Sequence, residues 1–403
     1  TQAPAHRVIL TMAVPTIITM LVTSLYNIAD TFFVRQLNTQ STAAVGVVFP
    51  VMFFIQAFGF FFGHGSGNYI SRELGAKRHG NAEIMASTGF VYSLVMGCVV
   101  MIVGLLMIRP LAVWLGSTPT ILPYTEKYMS IILIGAPFMT SSLTINNQMR
   151  LQGNAAFAMY GIISGAVLNV ILDPIFIFAF DMGVAGAALA TVIGQIVGFC
   201  VLFFMSRSGE NIRINVRKFS PRLAFLKEIV FGGSPSLSRQ GLACIAVMML
   251  NVAASTYGDA AIAAMSIVNR ITMFIMSAVI GLGQGFQPFC GFCYGAGLYA
   301  RLREGFGFTV KVGTVFLLVF SFVGFFFCND AIGIFRNDPD VIKIGTVALC
   351  WQLATYPFNA FTMVGNMMLQ TTRKPLRANI LAAARQGLFF IPLIILLPYL
   401  FGL

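Results

Sequence analysis

Gly161-Ile-Ile-Ser-Gly-Ala-Val-Leu-Asn-Val-Ile-Leu-Asp-Pro-Ile-Phe-Ile-Phe178 is apolar except at Ser164, Asn169 and Asp173. The run around it, 155–179, is long enough for one membrane-spanning helix. A carboxylate at that depth costs about 3 kcal/mol on insertion scales, so it needs a task or a partner. Asn169 lies four residues before Asp173, which puts both side chains on one helical face. Pro174 lacks an N–H and releases the carbonyl of Val170 one turn back. Acid, amide and carbonyl converge, as in a cation or proton site within a membrane helix.

Outward from this stretch, the rest of the chain is of the same kind. Hydrophobic residues make up 58% of the 403 and charged residues 9%. Spans are predicted at 8–34, 43–67, 84–108, 120–146, 155–179, 183–206, 224–253, 258–289, 305–328, 341–368 and 376–400. Barrel strands would alternate over about ten residues instead. The first run is too long for a cleaved signal peptide. No stretch is long and polar enough for an enzyme domain, and no cofactor is called for.

The net charge of +12 follows topology. With the N-terminus inside, the inner loops and margins hold Arg72, Lys77, Arg78, Arg150, Arg207, Arg213, Arg217, Lys218, Arg222, Arg301, Arg303, Arg373, Lys374 and Arg377. The outer ones hold little beyond Arg35, Arg109, Arg336 and Lys343. This positive-inside bias sets the orientation and removes the case for nucleic acid; a plasma (inner) membrane with a cytoplasmic N-terminus is the expected location. Cys290-Gly-Phe-Cys293 has no second ligand pair for zinc and reads as packing. The histidines His6, His64 and His79 are scattered and suggest no metal cluster.

The chain repeats itself at an offset of 220. Pro15 matches Pro235, Ala43-Ala44 matches Ala263-Ala264, and Gly63 and Gly65 match Gly283 and Gly285. The register continues through Gly75-Ala76 with Gly295-Ala296, Pro137-Phe138 with Pro357-Phe358, and Asn146 with Asn366. Six spans separate equivalents, so the halves are parallel. The expected fold is an all-α polytopic membrane protein of two parallel six-helix bundles around a central cavity. Twelve spans are expected and about eleven lie in this chain. The divisions are 1–206 for the first bundle, 207–223 for a cytoplasmic linker and 224–403 for the second bundle. Two facing bundles suit alternating access. Without a phosphate-binding Gly-x-x-x-x-Gly-Lys motif, an ion gradient is the expected driving force.

Function is sought where the copies diverge. Asp30 maps to Leu250 and Asp173 to Leu393, whereas Arg239, Arg270 and Arg385 map to Thr19, Pro50 and Gly165. The first bundle is acidic inside and the second basic. Counting from helix ends puts Asp30, Tyr26, Tyr128, Asn169, Asp173 and Thr191 in one layer of the outer half, roughly 12 Å in for Tyr128 and Thr191. Buried acids usually mark ion or proton pathways. A Na⁺ at Asp30, Asn169 and Asp173 fits the same oxygens. Tyr, Asn and Thr also bind helices together at modest energies, the competing structural reading. Arg239, Gln240 and Arg270 are the candidates for a substrate cavity. An arginine cannot shed its proton, so each needs carbonyls, water or an anion.

These residues resemble the MATE (multidrug and toxic compound extrusion) family. Four stretches carry the likeness: Ser24-Leu-Tyr-Asn-Ile-Ala-Asp30; Arg150-Leu-Gln-Gly-Asn-Ala155; Asn169-Val-Ile-Leu-Asp-Pro174 with Gly183-Val-Ala-Gly-Ala-Ala-Leu-Ala-Thr191; and Gly283-Gln-Gly-Phe-Gln-Pro288 with Tyr294-Gly-Ala296. Ser234-Pro-Ser-Leu-Ser-Arg-Gln240 resembles the MepA-like group of the DinF branch. That branch is described as placing its cation or proton site in the N-terminal bundle, on positions matched here by Asp30, Tyr26, Tyr128, Asn169, Asp173 and Thr191. The acids of the NorM branch in spans seven and ten have no match. Cys293 stands where the family pattern has Asn.

The resemblance implies a multidrug efflux antiporter for drug-like, often cationic or amphipathic compounds, exchanging them for H⁺ or Na⁺. It is expected to work as a monomer in the bilayer. A flippase for a lipid-linked anionic precursor is the alternative, favoured by the arginines and opposed by the acids. A channel is disfavoured by the two-bundle design.

Overall fold

The computed structural model describes residues 3–208, 212–335 and 337–402, and among these there is no strand. In the first half, α1 is Ala5–Arg35, α2 Thr39–Gly75, α3 His79–Leu106 and α4 Ile108–Trp114. They are followed by α5 Leu122–Ile134, α6 Ala136–Leu151, α7 Ala155–Pro174 and α8 Val184–Ser206. In the second half, α9 is Leu223–Ser255, α10 Asp259–Gly295, α11 Tyr299–Phe335 and α12 Pro339–Thr355. It closes with α13 Asn359–Thr371, α14 Pro375–Ala383 and α15 Phe390–Phe401. Arg336, one of the few outer basic residues, lies outside the described residues.

All eleven predicted spans are helical, and the departures have local causes. The fourth span breaks into α5 and α6 with a 46° bend at Gly135, next to Pro137. The tenth breaks at a 3₁₀ turn, Tyr356–Phe358, around Pro357, the residue 220 positions after Pro137. Proline removes the i→i−4 bond in both places. The fifth and eleventh pass into π turns at Ile175–Ala179 and Ala384–Leu388. Among the described residues, seven helices are long and apolar enough to cross a membrane, or eight with the bent α5–α6 pair. The other three predicted spans are α9, which carries Lys227, Glu228 and Arg239, and the broken helices α12–α13 and α14–α15. Helices α2 and α10 run past their predicted inner ends, to Gly75 and Gly295.

The sequence repeat is a repeat of bonds. Asn146 Nδ2 donates to the Ala158 carbonyl at 2.9 Å, and Asn366 Nδ2 to the Ala378 carbonyl at 2.7 Å. Left-handed residues close equivalent turns, Lys77 with Gly297 and Gly153 with Arg373. Each half buries its own apolar core, with Val48, Met129 and Leu133 in one and their equivalents Val268, Leu349 and Leu353 in the other. The protein thus has two lobes of helices, each with a packed interior, and further apolar clusters join Ile9 to Phe286 and Ile70 to Ile229 across the boundary.

The lobes meet along one half of their length, the half that carries the basic loops. There α1 packs on α10 and α2 on α9. Glycines permit the approach: Gly285 faces Ala13, Gly281 faces Ile17, Gly65 faces Ile229, and Gly233 faces Phe61. A β-carbon at any of these would overlap the opposing helix. Near the middle, Ser24 and Ser277 hydroxyls bond across at 2.9 Å.

The inter-lobe linker lies on the first lobe. Ile212 N donates to Gln152 Oε1 at 3.0 Å, Asn215 N to Ser87 Oγ at 3.1 Å, and Ser220 N to Thr88 Oγ1 at 3.2 Å. Its Ile212 and Ile214 are buried against the first lobe, and its Lys218 pairs with Glu83.

Candidate functional site

The six polar residues of the predicted layer meet between α1, α5, α7 and α8. Asn169 Nδ2 donates to the Tyr26 hydroxyl at 3.0 Å. Thr191 gives its own hydrogen to the Ala187 carbonyl at 3.0 Å, leaving its lone pairs for the Tyr26 O–H beside it. Tyr128 is buried and faces Asp30, Tyr26 and Asp173, with its hydroxyl 4.0 Å from Met52 Sδ. Asp173 is fully buried, and its carboxyl neighbours that of Asp30 within hydrogen-bonding reach.

This layer is short of donors. Asp30 Oδ1, both Asp173 oxygens and Asn169 Oδ1 are buried, with no protein donor on any of them. Two ionised carboxylates only accept, so the Asp30–Asp173 contact becomes a hydrogen bond only when a proton sits between them. A bare carboxylate pair in a low-dielectric interior is costly, and a cation or proton removes that cost. The oxygens fit either.

Backbone chemistry puts them there. Asp173 and Pro174 close α7, and the chain continues as a π turn, with Phe180 N bonding the Ile175 carbonyl at 3.0 Å and Met182 N the Phe176 carbonyl at 3.1 Å. π turns inside helices frequently coincide with functional sites. Small residues bring α7 and α8 close: Gly165 faces the Gly194 carbonyl, and Gly194 faces that of Gly165 and Asn169 Cβ. The Asn169–Asp173 face is thereby pressed toward α8 and α1.

The three cavity candidates are not brought together. Arg239 Nη1 donates to Asn366 Oδ1 and, at 3.3 Å, to Gln370 Oε1, while Nη2 donates to Ser236 Oγ at 3.2 Å. Its partners are side chains of α13 and its own helix. Gln240 Oε1 is buried without a partner. Arg270 is exposed on α10 and shares none of the hydrogen bonds of Arg239.

Sequence reasoning missed the seam between the lobes. Arg72 Nη1 donates to the Thr371 carbonyl at 2.9 Å and Nη2 to Glu228 Oε2 at 3.2 Å. Arg373 holds the other oxygen of Glu228 at 2.6 Å. Ser71 Oγ donates to the Pro288 carbonyl at 3.0 Å. Arg150 Nη1 reaches the Gln284 carbonyl, which Pro288 four residues later leaves without its helical donor. The available signal was Arg72, which has Phe292 as its repeat equivalent and sits inside α2, not in a loop.

Comparison with known proteins agrees with this architecture. The MatE family model matches twice, over residues 15–175 and 235–396, at the 220-residue offset of the internal repeat. The chain is 28% identical to the multidrug export protein MepA of Staphylococcus aureus (strain NCTC 8325 / PS 47), covering 100% of this chain and 89% of the relative. It is 29% identical to MepA of Staphylococcus haemolyticus at the same coverages. An outward-facing structure of a multidrug resistance MATE family transporter superposes with a TM-score of 0.89 at 27% identity, covering 98% of this chain and 88% of the other. A transporter of the same superfamily from Pyrococcus furiosus, described as having a binding pocket of reversed polarity, gives 0.91 at 26%, covering 100% and 90%. With its duplicated lobes, its acid-bearing helix α7 and a family model spanning both halves, the chain belongs to the MatE family and is a multi-pass membrane transporter, not an enzyme.

Proposed function

We propose that the protein is a multidrug efflux antiporter in which the Asp30–Asp173 pair binds the coupling ion, a proton. The observation that carries this reading is the set of buried acceptor oxygens on Asp30, Asp173 and Asn169 with no donor to satisfy them. A proton between the carboxyls satisfies both acids at once. Na⁺ would require both to stay ionised around it, and no observation favours that over the shared proton. The relatives named as multidrug exporters support the class of cargo.

Residues 1–206 and 224–403 then act as the two rocking bundles, joined through 207–223, with the basic end and the N-terminus at the cytoplasm of a plasma (inner) membrane. The lobes are joined at that end, so the arrangement reads as outward-facing. Drug leaves toward the outside; protonation of the pair alters the packing of the π-turned end of α7 and shifts the equilibrium toward the inward-facing state. One chain supplies both lobes, which suits a monomer. The arginines that favour the lipid-precursor alternative differ in setting: Arg239 is held by Asn366, Gln370 and Ser236, and Arg270 is exposed.

The test is uptake of a fluorescent cation in proteoliposomes with the pH and Na⁺ gradients imposed separately. A pH gradient alone should drive exchange in the wild type and fail in Asp173→Asn. Exchange driven by Na⁺ alone, or unchanged in Asp173→Asn, overturns the reading.

A further inference from the structure

The seam holds the chemical opposite of the acid layer: buried donors with no acceptor. Arg150 on α6 is 3% exposed; its Nη groups go to the Gln284 carbonyl, Gln287 Oε1 at 3.2 Å and Asn147 Oδ1 at 2.9 Å, while Nε has no partner. Gln287 on α10 is fully buried. Its Oε1 takes the arginine, so its Nε2 must point away, and that Nε2 is unpartnered. The amide cannot be turned round, because an arginine offers only donors.

His64 on α2 supplies a third donor, and its tautomer follows from counting. Ser236 Oγ accepts from Gln370 Nε2 at 2.7 Å and from Arg239 Nη2 at 3.2 Å, which occupies its lone pairs. Its one hydrogen goes to His64 Nδ1 at 2.6 Å. Nδ1 is therefore the acceptor and Nε2 carries the ring hydrogen. That Nε2 is buried and unpartnered too.

Charge points the same way. Arg150, Arg239 and His64 lie within electrostatic reach of one another, and among the described residues none of the three forms an ion pair with a carboxylate. The acids nearby in the seam are committed elsewhere, Glu228 to Arg72 and Arg373, and Glu73 to Arg78. A buried guanidinium without a counter-charge is strongly unfavourable. Orphaned acceptors nearby are few, Gln148 Oε1 being one, and the imbalance is of donors and positive charge.

We propose that the closed seam binds a small monovalent anion, of halide size, among Arg150 Nε, Gln287 Nε2 and His64 Nε2. The anion supplies the missing negative charge and cements α2, α6 and α10 across the lobe boundary. Because those helices belong to both lobes, it stabilises the state in which the basic end is shut.

The test uses the purified transporter in detergent at fixed ionic strength, exchanging gluconate for chloride or bromide, with thermal unfolding as the readout. The wild type should show a saturable rise in Tm of a few degrees with halide. Gln287→Glu places a carboxylate where the anion would sit. It should unfold near the halide-saturated wild-type temperature and be insensitive to halide. Bromide-soaked crystals should give an anomalous peak between Arg150 and His64. Equal Tm values in halide and gluconate, undiminished halide dependence in Gln287→Glu, or a bromide peak elsewhere would each overturn the proposal.

Discussion

Gly75 and Gly295 are symmetry mates that each lie against the other's helix. Gly75 abuts the Phe292 carbonyl on α10 and Gly295 the Arg72 carbonyl on α2, and Phe292 is itself the repeat equivalent of Arg72. The pseudo-two-fold axis passes through this crossing. A β-carbon on either residue would overlap backbone, which cannot yield. Gly295→Val is expected to hold the basic end open. Spin labels flanking the seam should show longer distances than in the wild type, and drug efflux should fall at least about tenfold, a shift of about 1.4 kcal/mol.

Asp30 and Asp173 form one unit, so their substitutions should not add. Asp173→Asn, Asp30→Asn and the double variant are each expected to lose coupled efflux to a similar extent, about tenfold or more. Tyr26→Phe removes only the hydroxyl between Asn169 and Thr191 and should cost less, about two- to fivefold. Initial rates under an imposed pH gradient compare the four. Additive losses would mean the carboxyls act separately.

Glu228 pairs with two arginines at the lobe boundary, one buried and one exposed. Glu228→Gln should leave Arg72 without its charge partner and weaken the closed seam by about 1–3 kcal/mol, less than for a fully buried pair because Glu228 is partly solvated. Accessibility of a cysteine placed at the inner mouth to a water-soluble thiol reagent should rise accordingly.

Asn146 and Asn366 offer an internal control. Each ties a loop-preceding helix to the next through one side-chain amide, half-buried for Asn146 and buried for Asn366, in different lobes. Alanine at either should lower stability by about 1–2 kcal/mol through the orphaned carbonyl. Similar Tm shifts with little change in the pH dependence of transport would mark both as structural.

Much of this was legible in the sequence because membrane helices advertise themselves locally. The predicted 155–179 coincides with α7 and its π turn, and 183–206 differs from α8 by one residue. Depth counting alone assembled Asp30, Tyr26, Tyr128, Asn169, Asp173 and Thr191, since residues at one level on adjacent helices have few places to go. The bends at Gly135 and Pro357 were less visible, because a proline permits a kink without setting its angle. The seam was invisible for another reason. Arg72, Glu228 and Arg373 are 145–301 positions apart, and His64 read as scattered; only the packing of α2 on α9 gives them a common location.

The linker strap restricts how the machine can move. Its last bond to the first lobe is at Ser220, and α9 begins at Leu223. The second lobe is therefore hung on a leash two residues long, beside the glycines on which α2 and α9 touch. It cannot drift away sideways or slide far along the membrane normal. What remains is to tilt, like a door on a low hinge, which is the motion the proposed alternating access requires.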